Sequence, residues 1–509
     1  MSSPKISADS AMFRRTALAS KKRKEKRFVL LIVRNLLGVP AALLAYAFTL
    51  HWTYQSIIQP AFAYAGQRYV PAPLPFVLLT FMIAVATAWM LPQRLTRPSS
   101  AVLWVLYAVT IAPTILMSTY GGVLEFQDAV LMSLGFAAAF GVVCLGVRAR
   151  PVRRPLFPRP TSTTFWIVVV AFSVLVYGYL AAEAGLSLRF LSIFDVYDVR
   201  EDYADALSSA GLLGYLVSTQ ANVVNPLIMA RGLMSRRWAL VAVGVLGQLV
   251  IYSGTGFKTV LFSVPALVIV ALMFRANLRP RALNFIWGSS GLILVAAALD
   301  VQSDGIVWSS LFARRFLITP ARLSQQYLSF YGDGPYEMLS HSVLAPFFPN
   351  PPYPRGPARM IGYWVSGSPE LSANANLFAD GYAHFGWFGV FGAGIVLLVF
   401  LRILDRAAHG LPTVISSLVV VMPAVALSNT SILTSMLSHG LLAMVILLAL
   451  APRRGWGPGA SPSASGESQQ TSPVGRPFPA ARRNTSAVAE RAAGVATRAV
   501  RPQSRSRES

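Results

Sequence analysis

The chain has little charge and almost no cysteine. Charged residues make up 13% of its 509 residues, about half the share expected of a soluble globular domain. The single cysteine, Cys144, excludes an intramolecular disulfide framework and a cysteine-rich metal site. No His-X-X-X-His pattern or pair of acidic residues at ligand spacing occurs, so we predict neither a metal nor a cofactor. Hydrophobic residues account for 54% of the chain, which is typical of a polytopic membrane protein.

Long apolar runs separated by patches rich in arginine and proline recur along the sequence. Several approach the roughly 20 residues that cross a hydrocarbon core. The sequence therefore predicts an all-α fold, a transmembrane bundle of about twelve spans with a helical cap on its outer side. The predicted spans are 28–50, 73–91, 100–117, 129–147, 164–182, 211–230, 238–253, 258–274, 282–299, 385–402, 411–428 and 432–451.

The net charge of +24 is a topology signal, because the basic clusters fall in alternate loops. The positive-inside rule places those loops and both termini in the cytoplasm, and most acidic residues lie in the opposite loops. No nucleic acid partner is implied. We predict a basic cytoplasmic tail at 1–27, a transmembrane domain at 28–451 and a disordered cytoplasmic tail at 452–509. That last tail is either simply solvated or in contact with anionic membrane lipids.

The longest predicted outer loop, 300–384, is too long to lack structure and should contain its own helices. Apolar residues from Trp308 to Phe330 have approximate helical spacing, which favours an amphipathic helix at the membrane surface. The same stretch carries Arg314, Arg315 and Arg322. Arg315 and Arg322 are seven residues apart, so they share a face if Pro320 only kinks the helix. Such arginines either grip a phosphate or pyrophosphate, or they reach lipid headgroups and acidic neighbours.

Two further outer segments have unusual chemistry. Lys258 follows a glycine-containing hairpin at a helix start, where a cation opposes the helix dipole unless an anion joins it. Reaching for lipid headgroups is its alternative role. The segment 183–210 contains acids and aromatics around Tyr197 and Asp198, which suit sugar recognition or a salt-bridged lid.

The segment before the tenth predicted span contains a candidate general base. If it is helical, Asn376, Asp380 and His384 fall on one face at steps of four, so Asp380 can orient His384. His384 is then a candidate base, with a polar membrane anchor as its alternative role. His341, which precedes a proline-rich turn, is the rival candidate.

These residues resemble those of the bacterial oligosaccharide repeat-unit polymerases, the Wzy-like relatives of O-antigen polymerase and ligase. The matching pieces are the Gly-Thr-Gly-Phe-Lys-Thr hairpin at 254–259, the Arg-Arg-Phe-Leu-Ile-Thr-Pro segment at 314–320, and the run from Ala-Asn-Ala-Asn to Ala-His-Phe-Gly at 373–386. The resemblance covers roughly 185–400 and is strongest from 311 to 390.

The resemblance implies a metal-independent glycosyltransferase that joins repeat units carried on undecaprenyl pyrophosphate at the outer face of the bacterial plasma membrane. Its partners would be the lipid-linked glycan donor and acceptor, membrane lipids and, as a further candidate, a chain-length regulator. The family's two roles, pyrophosphate binding and the base, are carried over here residue by residue, and sugar binding is added from the chemistry of the residues themselves. Pyrophosphate binding goes to Arg314, Arg315 and Arg322 with Lys258 and Arg200, the base to His384 or His341, and sugar binding to Asn374, Asn376, Tyr197, Asp198 and Tyr327.

Two alternatives remain open. A ligase that transfers a finished glycan would use similar groups. A transporter or flippase for a lipid-linked sugar would show repeated halves and ionisable residues near the bilayer midplane, whereas the charged residues here gather at one rim. A lipid-linked glycosyltransferase with an acidic pair in its first outer loop is disfavoured, because 51–72 contains no aspartate or glutamate.

Overall fold

The computed structural model describes residues 37–149, 154–183, 212–277 and 279–457. Every regular element in these ranges is a helix, and the only β-type pairing among them is an isolated bridge between Arg94 and Arg281. The all-α class is therefore confirmed for the described part. Both predicted tails lie largely outside it.

The helices are numbered here in chain order, and a helix whose winding changes is counted once. They are α1 (37–62), α2 (Leu74–Met90), α3 (Pro98–Met117), α4 (Phe126–Val147), α5 (Ser162–Glu183), α6 (212–235), α7 (Trp238–Thr255), α8 (Lys258–Ala276), α9 (Asn284–Gln302), α10 (307–331), α11 (Pro357–Ser366), α12 (Leu377–Ala407), α13 (Thr413–Ala426), α14 (Ile432–Ser438) and α15 (Leu441–Leu450).

Four of these helices contain a π-helical segment, and each such segment ends two residues before a proline. A proline inside a helix lacks an N–H group, and its ring collides with the carbonyl four residues earlier. The wider i→i+5 turn moves that carbonyl aside, so the helix continues through the proline. The pairs of segment and proline are Tyr54–Ile58 with Pro60, Tyr107–Ile111 with Pro113, Gln220–Val224 with Pro226, and Ser310–Ile318 with Pro320.

Seven helices in the described part are long and apolar enough to cross a membrane, or eight if α14 and α15, bent by 60° at their junction, form one broken span. The seven are α3, α4, α5, α7, α8, α9 and α12. Helices α2 and α13 are apolar but shorter. The described part is thus a helical bundle with candidate membrane-spanning helices, while the total of twelve spans, the outer cap and the sidedness of the loops stay predictions.

Helix α3 lies at the centre of the bundle, with 94% of its most apolar window buried. It packs against α13, and α4 packs against both α2 and α12. Glycines allow the contact between α4 and α12 to be close: an added Cβ at Gly135 would strike the ring of Trp387, and one at Gly146 would strike Leu398. Small residues are the usual means by which membrane helices approach each other.

The segment 300–384 contains helices of its own, as predicted: α10, α11 and the start of α12. The surface position expected for the first of them is wrong. Most of its second half, Thr319–Tyr331, is buried, and it packs against α12 and α3. The apolar spacing did not reveal this, because the buried face includes the polar residues Ser324, Gln325 and Gln326.

Candidate functional site

Helix α10 directs two arginines toward the end of α1. The guanidinium of Arg314 lies 3.9 Å from the ring centre of Phe62 and donates through Nε to Oγ of Ser310 at 3.0 Å. Arg322 donates from Nη1 to Oε1 of Gln67, just beyond α1, at 3.2 Å. Both side chains therefore reach the same neighbouring segment.

The predicted common face of Arg315 and Arg322 is not found. Arg315 is exposed, whereas Arg322 points inward against the segment after α1. The π-helical winding of Ser310–Ile318 holds more residues per turn than an α-helix, so it rotates the earlier arginines relative to the later one. The residue that shares the direction of Arg322 is consequently Arg314.

Arg322 is a largely buried cation with neutral hydrogen-bond partners. Burial lowers its pKa, and its hydrogen bond with Tyr54 opposes that shift. The hydroxyl of Tyr54 in turn donates to the backbone carbonyl of Arg68. Among the described residues, no carboxylate lies within 4.0 Å of the Arg322 guanidinium. A buried charge needs a compensating partner, so this pocket favours an anionic ligand.

Unpartnered polar groups lie close to this guanidinium. Gln325, one helical turn beyond Arg322, is fully buried, and neither atom of its amide group has a hydrogen-bond partner among the described residues. The same holds for the hydroxyl of Tyr120, whose ring lies 5.6 Å from that of Tyr54. The ring of His51 is 4.8 Å from that of Tyr120. These neighbours were not predicted from the sequence. The amide of Gln325 could have been, because Gln325 follows Arg322 by three residues on one helix and therefore lies on the same face.

A half-open apolar groove of about 270 Å³ runs beside the arginine-bearing helix. Helix α8 lines it from Thr259 to Met273, a distance of about 21 Å at 1.5 Å per residue. Helices α3, α9 and α13 supply the remaining walls, and Phe312 and Phe316 of α10 close one end. The predicted cation Lys258 precedes Thr259 at that same end, where α8 begins. Lys258 and the arginine-bearing helix α10 thus lie at one end of the apolar groove, and Arg275 in the last turn of α8 lies at the other.

The rival histidine, His341, is held by a carboxylate that sequence reasoning did not single out. Nδ1 of His341 lies 2.9 Å from Oε2 of Glu337, whose side chain is fully buried, while that of His341 is 23% exposed. The hydroxyl of Tyr331 donates to the other carboxylate oxygen at 3.1 Å. A carboxylate at Nδ1 keeps the proton there and leaves the lone pair on Nε2, the arrangement of a general base.

The turn that carries this pair has an unusual backbone. Met338 and Leu339, between the glutamate and the histidine, both adopt positive φ angles, 47° and 63°. Non-glycine residues rarely occupy this region, and such strain concentrates at functional sites. The backbone N–H groups of Glu337 and Met338 are anchored on the carbonyls of Ala383 and His384.

His384 and Asp380 are brought together as predicted, with Nε2 and Oδ2 3.8 Å apart on α12. However, the backbone N–H of Leu339 donates to Nδ1 of His384 at 3.1 Å. That bond occupies one ring nitrogen and places the proton of the neutral ring on the other. His384 therefore has no free lone pair for a substrate proton, and the geometry favours His341 as the base.

The predicted sugar-binding residues separate into buried and exposed groups. Asn376 is fully buried and caps α12 by accepting from the backbone N–H groups of Phe378 and Ala379, while its amide donates to Ser324 at 2.7 Å. Tyr327 is also buried, with its hydroxyl on a backbone carbonyl. Both side chains are therefore committed to the fold, and of the three predicted sugar-binding residues that the structure describes, Asn374 alone is exposed to a ligand.

The remaining predicted site residues, Arg200, Tyr197 and Asp198, lie outside the described residues. Within the described ranges, no three histidine, cysteine, aspartate or glutamate side chains are grouped so as to hold a metal ion.

Helices of spanning length and a cationic pocket beside an apolar groove define a helical membrane protein with a candidate site for an amphiphilic anion. No protein-family model, curated protein or solved structure matches the chain.

Proposed function

We propose that the chain is a bacterial polysaccharide polymerase that joins oligosaccharide repeat units carried on undecaprenyl pyrophosphate, at the outer face of the plasma membrane. The single observation that carries this proposal is the partly buried guanidinium of Arg322, whose hydrogen-bond partners are neutral. Guanidinium groups bind phosphate oxygens in a planar, two-pronged geometry. A pyrophosphate would supply the charge that this pocket favours.

The apolar groove supports a lipid-linked substrate. It follows α8 for about 21 Å, most of a hydrocarbon core about 30 Å thick. Its walls are carbon-rich, and the aromatic end formed by Phe312 and Phe316 lies on the helix that carries Arg314. An isoprenoid chain in the groove would therefore place its pyrophosphate near the arginines. Exposed Arg315 and half-buried Lys258 would attract the same headgroup.

The chemistry assigned to the site is displacement of the pyrophosphate from the anomeric carbon of the donor. The acceptor hydroxyl gives its proton to Nε2 of His341, its oxygen forms a bond to the anomeric carbon, and the bond from that carbon to the pyrophosphate oxygen breaks. Arg322 and Arg314 stabilise the negative charge that develops on the leaving group. Glu337 holds the imidazole in the required tautomer and stabilises its charged form.

The test uses purified protein, extracted undecaprenyl-pyrophosphate-linked repeat units and no added metal, with the products separated by size. We expect a ladder from the wild type and a loss of at least a hundredfold in rate from Arg322→Ala, since removing one stabilising donor costs about 10²–10³. Arg359→Ala, an exposed arginine on α11, is the matched control and should retain the ladder. Equal ladders from both variants would refute the assignment of Arg322.

The same preparation separates polymerisation from the two alternatives. A ligase would attach a finished glycan once and give a single product rather than a ladder. A transporter would move intact lipid-linked units between the leaflets of a vesicle without changing their size. Either result from the wild type would replace the polymerase proposal.

A further inference from the structure

A second cavity, more open to the surface than the groove, lies between α2 and the segment that joins α3 to α4. Its volume is about 490 Å³, within the range of about 300–1,000 Å³ found for small-molecule sites. It belongs to neither the arginine pocket nor the apolar groove. The lining residues are Val70, Phe76, Thr119, Gly122, Val123, Leu124, Glu125, Phe126 and Gln127.

The walls of this cavity are tied together by the fold. The backbone N–H of Val70 donates to the carbonyl of Tyr120 at 3.1 Å, which joins the two segments. Gly122 has a φ of 63°, and an added Cβ there would lie 2.9 Å from Cγ2 of Val70. The close approach therefore requires glycine, and it gives a cavity that is formed before any ligand arrives.

The lining combines aromatic faces with hydrogen-bonding groups. The rings of Phe76 and Phe126 stack with centres 5.3 Å apart. The side chain of Thr119 is 2% exposed, and its hydroxyl has no hydrogen-bond partner among the described residues. Glu125 precedes α4 without capping it through its side chain, and Gln127 contributes an amide. A carboxylate, an amide and a hydroxyl beside aromatic carbon suit a ligand with many hydroxyl groups on an apolar ring face.

The cavity is also next to the arginine pocket. An added Cβ at Gly121 would lie 3.1 Å from the amide atoms of Gln325, which follows Arg322 by one helical turn. Gly121 stands between Tyr120, whose ring contacts the Arg322 partner Tyr54, and the cavity residue Gly122. The backbone at Gly121 therefore separates the cavity from the arginine pocket.

We propose that this cavity binds a sugar ring of the glycan whose pyrophosphate is held by Arg322. The inference rests on the proposed function for the identity of the glycan, and on the cavity itself for the chemical class of the ligand. Thr119 and Glu125 recognise hydroxyl groups, and Phe76 and Phe126 pack against the carbon face of the ring. The cavity would then determine which repeat units are accepted.

The experiment measures binding without turnover. Repeat-unit oligosaccharide is freed from its lipid by mild acid and titrated onto the full chain in lipid nanodiscs, with binding followed by saturation-transfer NMR. We expect Glu125→Gln and Thr119→Val to weaken binding about tenfold, the effect of losing one hydrogen bond. Asp128→Asn removes a nearby charge that does not line the cavity, and Thr114→Val removes a buried, unpartnered hydroxyl inside α3, away from the cavity lining. Both controls should bind as the wild type does.

Absence of binding by a folded wild type, or equal binding by the cavity variants and their controls, would overturn the proposal. Thermal unfolding of all four variants shows that each is folded. A wild type that binds the oligosaccharide with this pattern of variants but makes no ladder would support the sugar site while refuting polymerisation.

Discussion

Filling the apolar groove is the sharpest test of a lipid-linked substrate. Gly288 lines the groove on α9, and an added Cβ there would meet no atom within 4 Å. A phenylalanine at this position should therefore enter the groove without disturbing the fold. Gly291, one turn further along α9, has equally open surroundings but does not line the groove. The new ring should therefore block the groove in Gly288→Phe and leave the groove open in Gly291→Phe.

The expected effect follows from the groove volume of about 270 Å³. That space holds about nine groups of roughly 30 Å³ each. At about 0.8 kcal/mol per buried methylene, a filled groove contributes up to about 7 kcal/mol. A phenyl ring that displaces nearly half of the chain would remove about 3 kcal/mol, or roughly 150-fold in affinity. This is an upper value, because membrane lipid competes for the same groove.

The assay is the KM for lipid-linked repeat units, together with direct binding of undecaprenyl pyrophosphate to the protein in nanodiscs. Gly288→Phe should raise both constants, with kcat changed less, and Gly291→Phe should leave them unchanged. Thermal unfolding should be similar for the two variants. If both variants kept the wild-type KM, the groove would not be the site of the lipid chain.

Two further predictions concern the base and the fold. Glu337→Gln should lower kcat about a hundredfold with little change in KM, because general-base catalysis contributes a factor of about 10²–10⁴ and depends on the orientation of His341. The matched control is Glu370→Gln, at an exposed glutamate. A wild-type kcat in Glu337→Gln would contradict the role of Glu337. Asn376→Ala should destabilise the protein by about 2–4 kcal/mol, since it removes a helix cap and a buried hydrogen bond. A thermal melt checks this against exposed Asn374→Ala, and equal melting temperatures would refute it.

Local features of the site could be predicted from the sequence. Asp380 and His384 are four residues apart in an apolar helical stretch, so their proximity follows from helix geometry alone. The arginine-rich stretch of α10 was likewise found, because positive charge in a predicted outer loop opposes the usual distribution. The all-helical class followed from composition.

Contacts between distant segments could not be predicted in the same way. Arg322 reaches Gln67 across more than 250 positions, and no local pattern encodes such a contact. The Glu337 and His341 pair has helical spacing without a helix, since Met338 and Leu339 form a left-handed turn. Asn376 was wrongly expected to be available for sugar binding, because the sequence does not distinguish an asparagine that caps a helix from one that binds a ligand.

The direction of the arginines depends on a feature that is local but was overlooked. Four π-helical segments each end two residues before a proline, at separate places in the described part of the chain. Helices α8 and α13 also continue through an interior proline, Pro265 and Pro423, but without such a segment, so a proline permits the π-helical turn and does not impose it. Before Pro320 the helix does take the π-helical turn, and Arg314 on that turn reaches the end of α1, as Arg322 reaches the residues that follow it. A cationic site fixed in advance needs no reorganisation when charge develops on a leaving group, so under the proposed function this turn would contribute to the stabilisation of the departing pyrophosphate.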